Sequence, residues 1–454
     1  MKKFLLLIAA AAFICAPAAA QTEEDIATGS ASGLNDDGSI QKYRRSSLYS
    51  VLIKHSKFPY GQEINDAFMS IPTPDKFNNH DAGPKAFESS SKKMKKSGKK
   101  KTKANTSDIA KFIKANDIPR QMIAKWFNRD EQNGAFDLDL MFERGLYDAQ
   151  QVDIEAAKAS SRNIQVLADA GEELIGKTFL LVNDITFVDR GERAAIAGAI
   201  LKGLGSIAAI ATGVSSAQDL GNSVGDAVND IDGFCVNITS YLYRLDWSPE
   251  VAETFWSKYW IDDSALDSAR KEDFEKSNLF KLTYIGETTT QAANLASKSM
   301  ASKSKADQML KVCTRAIDKS IVMLQREYDE FRVNVPIGRI NPDNKTVEVA
   351  IGLKEGLNER SIYDVLMKVQ NEDGTYTYDK VGKIRPAKGK IWDNRFGALE
   401  DAKAIAEEGL KRQKDGEGRG NASLTSSQFR IIEGANRIVP GCLIREATIK
   451  RTKK

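Results

Sequence analysis

The chain contains only two histidines, His55 and His80, and this small number limits the chemistry that it can perform. A Ser-His-Asp or Cys-His catalytic group needs one histidine close to a nucleophile, and neither histidine has a recognisable partner in the sequence around it. A histidine-rich zinc site is excluded by the same number. We therefore expect both to be ordinary loop residues, outside the best-folded parts of the chain.

The stretches that resemble cofactor-binding or metal-binding motifs lack residues that those motifs require. The stretch Asn128–Asp139 resembles a calcium loop, but Leu140 stands where an EF-hand requires glutamate. Gly198–Gly205 lacks the Gly-Lys-Ser/Thr ending of a phosphate-binding loop. No cofactor, metal ligand or catalytic residue is therefore predicted. Carboxylates are plentiful, with 62 Asp and Glu, so a hydrolase that uses paired acids stays open; a deep pocket with two carboxylates, one of raised pKa, would favour it.

Cysteine use indicates buried thiols rather than a disulfide framework. Beyond Cys15, the chain has Cys235, Cys313 and Cys442, far apart and without a Cys-x-x-Cys pair. Each has apolar neighbours, and cysteine is commonly buried as a small hydrophobic residue. Three buried free thiols are expected; one disulfide between two of them is the alternative.

The formal charge of +4 hides a strongly basic segment. Its lysines form a candidate site for an anionic partner: Lys92, Lys93, Lys95, Lys96, Lys99, Lys100, Lys101 and Lys103. Surface polymer, lipid headgroups or an acidic protein would fit such a site, whereas nucleic acid is not expected for an exported protein. A merely solvated linker is the alternative interpretation.

The first 20 residues are typical of a secretory signal peptide. Lys2 and Lys3 precede a short apolar run, and Ala18-Ala19-Ala20 provides a cleavage site before Gln21. The run is shorter than the about 20 residues that a membrane-spanning helix needs. Cys15 could mark a lipoprotein instead, but the residues before it do not fit that pattern. Export to the periplasm or outer membrane is expected.

Changes in amino-acid composition divide the rest of the chain into segments. A short helix is expected within Ser47–Ile53, and the Ser- and Lys-rich stretch that follows the N-terminal segment should be a flexible linker. A helix begins at Thr106-Ser107-Asp108 by its capping residues. The predicted parts are a signal peptide (1–20), a flexible leader (21–42), an N-terminal helical or extended segment (43–88), a linker (89–105), a layered domain (106–331), a β-rich domain (332–449) and a basic tail (450–454).

Hydrophobic periodicity sets the fold class. Thr178–Val188 and Phe234–Leu245 indicate buried strands, and Lys305–Phe331 has the apolar spacing of a long helix. After residue 331 the period of the apolar residues changes to two, which is typical of strands. The pair Asp373-Gly374 predicts a hairpin between two of these strands. The sequence thus predicts a multi-domain α+β protein: a central α/β layer domain, then a C-terminal antiparallel sheet or small barrel with one inserted helix.

The stretch Ala194–Val214 permits two interpretations. It has the length of a membrane helix and small residues at four-residue spacing. Lys202 lies in its middle, where insertion of a charge costs about 2.5 to 3.5 kcal/mol. A helix packed within the protein, or a glycine-rich insertion, is therefore favoured over membrane insertion.

Five segments of the sequence, taken together, carry a resemblance to a known family: Ser47–His55, Ile71–His80, Leu174–Asn183, Lys390–Arg395 and Pro440–Arg445. In these five segments the chain resembles an uncharacterised secreted family of Bacteroidales-type bacteria. The resemblance implies a cell-envelope location and carries no catalytic residues. The expected function is a non-enzymatic role in binding or assembling other envelope components; a carboxylate-dependent hydrolase and a membrane-inserting protein are the alternatives.

Overall fold

Two large β-sheets organise the protein, and the first is complete in the chain before the second begins. The computed structural model describes residues 46–91, 99–148, 173–188, 234–294, 297–341, 345–370, 376–408, 420–439 and 441–447. Helices pack on the first sheet, and the second sheet is antiparallel and curled. The predicted α+β, multi-domain class is thus confirmed.

The first sheet is mixed and has β1 and β4 at its centre. Its strands are β1 (Ser46–Lys54), β2 (Phe77–Asn79), β3 (Ala86–Glu88), β4 (Thr178–Phe187), β5 (Cys235–Leu245) and β6 (Leu282–Ala293). Strand β1 runs parallel to β2, β3 and β4, whereas β4, β5 and β6 are successively antiparallel. Nearly every residue of β1 and β4 is buried, because helices cover both faces of the sheet.

Helices form a layer on each face of this sheet. They are α1 (Gly61–Ser70), α2 (Lys99–Ala115), α3 (Ile118–Trp126), α4 (Asp139–Asp148), α5 (Pro249–Thr254), α6 (Ser268–Glu275), α7 (Lys298–Ala301) and α8 (Lys305–Glu327). On one face, Trp126 and Phe127 lie in an aromatic core with Phe255, which belongs to a π-helical turn after α5. On the other face, α1 and α8 cover residues such as Leu181.

Local sequence determines where two of these helices begin. Ser248 accepts a hydrogen bond from the Val251 amide, and Pro249 occupies the first turn of α5. Ser304 accepts a bond from the Asp307 amide at the start of α8. The apolar positions predicted for α8 are all buried: Met309, Val312, Ile317, Ile321 and Leu324.

The second sheet has the strand order β7-β15-β10-β11-β14-β9-β8. Its strands are β7 (Val335–Pro336), β8 (Arg339–Asn341), β9 (Thr346–Val349), β10 (Tyr363–Gln370), β11 (Tyr376–Pro386), β14 (Ser427–Glu433) and β15 (Leu443–Glu446). A separate parallel pair, β12 (Ile391–Trp392) and β13 (Gly420–Asn421), flanks the inserted helix α9 (Ala398–Glu408). The predicted hairpin of β10 and β11 is confirmed.

One short segment joins the two edges of this sheet. The amide of Ile337 donates to the Cys442 carbonyl beside β15, and the amide of Gly338 donates to the Glu348 carbonyl on β9. Because β7 and β8 are consecutive in the chain, the sheet must curl until its edges meet in this segment. The result is a half-barrel around a core that includes Val365 and Phe429.

Ion pairs connect α8 to the second half of the chain. Arg326 donates two hydrogen bonds to the Glu446 carboxylate, from Nε at 2.9 Å and from Nη2 at 3.0 Å. Asp401 on α9 accepts from Lys311 and pairs with Arg315, each at 2.7 Å. Bidentate arginine–carboxylate pairs fix orientation as well as distance, so α8 has a defined placement against the curled sheet.

Three local expectations are wrong. Ser47–Ile53 lies in strand β1 rather than in a helix, because its apolar residues alternate between two covered faces. Helix α2 begins at Lys99 rather than at Thr106, so part of the predicted linker (89–105) is helical. The helix predicted over Lys305–Phe331 ends at Glu327, and a 3-10 turn follows. Strands β1 to β3 also place residues of segment 43–88 in the same sheet as β4 to β6.

Several predictions fall outside the described residues. They concern the signal peptide with Cys15, the leader, the tail 450–454, the stretch Ala194–Val214 and the turn residues Asp373 and Gly374. Among the helices that the structure describes, none has both the length and the apolarity needed to cross a bilayer.

Candidate binding cleft

Both histidines lie in loops directly after strands, but both are buried, so the expectation that they lie outside the folded parts is wrong. His55 is 6% exposed and follows β1, and His80 is fully buried after β2. Their hydrogen-bond partners come from sequence positions far away, 129 residues for His55 and 42 or more for His80. Such contacts leave no local signal in the sequence.

His55 belongs to a polar group beneath α2. Its Nε2 lies 2.8 Å from Oδ1 of Asp184, a fully buried residue of β4. The Asn105 amide donates to the other Asp184 oxygen at 2.6 Å and to the Tyr241 hydroxyl at 3.0 Å. The pair resembles the acid–histidine half of a catalytic triad, but Nδ1 of His55 has no partner in the structure as described. Without a nucleophile there, the arrangement is suited to anchoring α2 on the sheet.

His80 belongs to a second buried group, centred on Arg144 of α4. The Arg144 guanidinium donates to the Ser47 hydroxyl and to the Asn79 carbonyl, and its Nη1 lies 2.9 Å from Nδ1 of His80. It also lies 4.3 Å from the ring centroid of Trp126. Burial lowers the pKa of Arg144 to about 10. Burial, with the Arg144 charge as a second cause, holds the pKa of His80 well below its usual value, so the imidazole is neutral at physiological pH.

The three described cysteines, Cys235, Cys313 and Cys442, are buried and lie outside any disulfide, as the sequence predicted. Burial raises the pKa of Cys313 on α8 to about 12, and it also raises the pKa of Cys442. Cys235 begins β5 and is 5% exposed. Neither nucleophilic nor disulfide chemistry is favoured for such thiols.

The candidate lysine site is only partly within the described residues. Lys92, Lys93, Lys95 and Lys96 lie outside them, and the backbone of Lys99, Lys100, Lys101 and Lys103 forms the first turns of α2. The calcium-like stretch is a tight loop in which Asp130 accepts hydrogen bonds from the Gln132 and Asn133 amides. Those bonds lower the pKa of Asp130.

A cleft opens between α8 and the curled sheet, and we call it the α8 cleft. Its cavity has a volume of about 160 Å³, close to that of a cavity that holds one benzene-sized group. The segment before β2 contributes Pro74, Lys76 and Phe77 to its wall. Its apolar lining includes Ile321, Val322, Val333, Val335, Ile351 and Ile444. The sequence did not predict this cleft, because its walls come from five separated stretches of chain.

Most charged groups that line the α8 cleft already have partners. Glu446 holds Arg326, and Glu355 accepts hydrogen bonds from the Gly352 amide and from Asn394, at 2.7 and 2.8 Å. Lys354 donates to Asp75 at 2.8 Å. These pairs fix the geometry of the cleft and are not available to a ligand without loss of a contact.

Asp318 differs from the other carboxylates of the α8 cleft. It lies on α8, is half-buried, and its carboxylate has neither a hydrogen bond nor an ion pair with any described residue. Burial raises the pKa of Asp318 to about 7, with the Glu355 charge adding to the effect and Lys354 opposing it. A carboxyl group that is half ionised near neutral pH can bind a cation, donate a hydrogen bond or transfer a proton.

Neither a protein-family model nor a curated protein matches this chain. The function of the α8 cleft must therefore be inferred from its geometry and chemistry. A concave, mostly apolar site with few polar groups and one perturbed carboxyl is the usual form of a ligand-binding site.

Proposed function

We propose that this chain is an exported protein of the cell envelope that binds another envelope component, without catalysis, through the α8 cleft. The single observation that carries the proposal is an apolar cleft with one unpartnered carboxyl, Asp318, in its wall. The signal-like N-terminus and the resemblance to a secreted family support the envelope location. A partner that offers an apolar group with a polar end would complement this surface.

Filling the cleft tests this role. Val333 lines the cavity and is half-buried, so Val333→Trp should occupy the space of the ligand. Val439 is 46% exposed and does not line the cleft, which makes Val439→Trp the matched control. Envelope extract is passed over the immobilised full-length proteins. We expect one component to be retained by the wild type and Val439→Trp and lost from Val333→Trp.

The control for folding is the urea midpoint, which should be similar for both tryptophan variants. Equal retention by Val333→Trp would remove the α8 cleft from the proposal. Export is tested separately by N-terminal sequencing of the protein from the envelope fraction, which should begin at Gln21. A retained Met1 in cytosolic extract would contradict it.

The lysine segment is a second contact in this proposal, for an anionic surface polymer or acidic protein. A deletion of Lys92–Lys103 would also remove the first turns of α2, which begins at Lys99. Replacement of Lys92, Lys93, Lys95 and Lys96 by serine avoids that defect. We expect weaker retention in the envelope fraction and weaker salt dependence of the retention that remains, because electrostatic contacts have been removed; unchanged fractionation would leave a solvated linker as the interpretation.

A carboxylate-dependent hydrolase is the second candidate, and the pKa of Asp318 is the observation that favours it. A carboxyl that titrates near 7 can serve as a general acid at neutral pH, and Glu355 also lines the cleft. Purified protein is incubated with envelope peptides and glycans, with Asp318→Asn as the control. Turnover by the wild type that disappears in the variant would favour hydrolysis over binding alone.

A further inference from the structure

We propose that the α8 cleft recognises a lysine or arginine side chain of a partner polypeptide, with its cationic end paired to Asp318. This inference rests on the proposed function and specifies its ligand. It depends on three features of the cleft: an unpartnered acid, neighbouring Lys76, Lys354 and Arg326 that are already hydrogen-bonded, and apolar walls around a space of side-chain size.

The lining has five basic and three acidic side chains, and among the acids Asp318 is the one open to a cationic group. Glu355 and Glu446 have hydrogen-bonded partners, whereas Asp318 has none among the described residues. A cation that reaches Asp318 would therefore pair with it without breaking an existing contact. In a partly apolar surrounding such a pair is stronger than one in water, provided that geometry and hydrogen bonds are good.

Three basic side chains of the cleft are hydrogen-bonded to groups other than Asp318, although the Lys354 charge lowers the pKa of Asp318. Lys354 donates to Asp75, and Lys76 donates to the Ala350 carbonyl at 2.7 Å. Arg326 is held by Glu446. These contacts direct three of the positive charges of the cleft to other groups and leave the Asp318 carboxylate without an ion pair, so a cation from outside can pair with it.

The walls fit the stem of such a side chain. Val322, Val333 and Ile351 provide apolar surface along the cavity of about 160 Å³. Lysine and arginine pack their methylene groups on apolar surface while the charged end reaches a polar group. An unbranched apolar chain that ends in a cation therefore uses both the walls and the acid.

Binding should strengthen as the pH rises. The charged groups around Asp318 are Lys354, Glu355 and Asp75 across the cleft and Arg315 on its own helix; Arg326, Arg332, Arg445 and Glu446 also line the cavity. Burial nevertheless dominates and places the pKa of Asp318 at about 7. The carboxyl is then about one-tenth ionised at pH 6 and about nine-tenths at pH 8, so affinity for a cation should rise about tenfold.

The experiment uses the full chain with labelled isoleucine methyl groups, because Ile321, Ile351 and Ile444 line the cleft. The probes are acetyl-Ala-Lys-Ala-amide, the arginine equivalent, the norleucine equivalent and n-butylammonium. At pH 8 we expect titrations followed by these methyl signals to give the lysine or arginine peptide a dissociation constant at least tenfold lower than that of the norleucine peptide. Asp318→Asn should remove that preference, whereas Asp379→Asn, an exposed control on β11, should keep it.

Each other outcome overturns part of the account. Equal binding of the lysine and norleucine peptides would overturn cation recognition and leave a binding cleft in place. Tighter binding of n-butylammonium than of either cationic peptide would overturn the assignment to a polypeptide partner. If no probe moves the cleft signals, the inference is wrong, and the proposed function then depends on the tryptophan variants. Unchanged methyl signals elsewhere would show that Asp318→Asn is folded.

Discussion

The free energy of unfolding should depend on Asp318 in a way that changes with pH. The pKa of its carboxyl is about 7 in the folded protein and 3.8 ordinarily. Because the folded value is raised, ionisation favours the unfolded chain. This destabilisation of the folded protein is absent below pH 3.8, where Asp318 is protonated in both the folded and the unfolded state. It grows as the pH rises and reaches its full value above pH 7.

Each pKa unit corresponds to 1.36 kcal/mol, so the raised pKa sets an upper limit of about 4 kcal/mol at pH 8. Asp318 is half-buried, and contact with water reduces that limit to about 2 kcal/mol. Asp318→Asn keeps the shape of the side chain and removes the charge. The variant should therefore be about 2 kcal/mol more stable than the wild type at pH 8 and nearly equal to it at pH 4.

Urea unfolding followed by tryptophan fluorescence at pH 4, 6 and 8 measures this difference. Asp379→Asn, at an exposed position of β11, is the matched control and should change stability by less than about 0.5 kcal/mol at every pH. A variant at residue 318 that is less stable than the wild type at pH 8 would refute the reasoning. So would a difference that does not vary with pH.

Other predictions concern a buried hydrogen bond, an ion pair between the two halves of the protein, and a buried thiol. Asn105→Ala removes the buried hydrogen bond that Asn105 donates to Asp184, and the urea unfolding free energy should fall by about 1 to 3 kcal/mol; a loss under about 0.5 kcal/mol would contradict the role of this contact. Arg326→Ala removes the pair with Glu446 and should increase proteolysis between α8 and the curled sheet, whereas unchanged cleavage would show that other contacts suffice. Cys313 should resist alkylation at pH 8 until urea unfolds the chain, because burial raises its pKa to about 12; rapid labelling of the folded protein would contradict its burial.

Periodicity predicted the elements whose signals are local. Strand β4 and helix α8 were expected because one is a continuous β-rich run and the other repeats apolar residues at helical spacing. Ser47–Ile53 misled the prediction because strand β1 is covered on both faces, so its apolar residues do not alternate with polar ones. The start of α2 was missed because lysine-rich residues give no apolar pattern to mark a helix.

The candidate site could not be predicted because it is assembled from distant residues. His55 looked like a loop histidine, yet its partner Asp184 lies 129 positions later in the chain. The walls of the α8 cleft likewise come from both halves of the protein. One local signal did exist: Asp318 lies one helical turn before Val322, a buried residue of α8. An acid at such a position is either paired or functional, and only the fold shows which partners it lacks.

Crosslinking from inside the α8 cleft in living cells tests the central claim most directly. A photoreactive p-benzoylphenylalanine replaces Arg445, which is exposed at the cleft, or Arg437, which is exposed away from it. The account predicts that position 445 crosslinks to one defined partner and that position 437 does not crosslink to this partner. Adding Val333→Trp to the position-445 variant should abolish the crosslink. The same partner from both positions, or a crosslink that Val333→Trp does not weaken, would contradict the assignment of the cleft as the binding site.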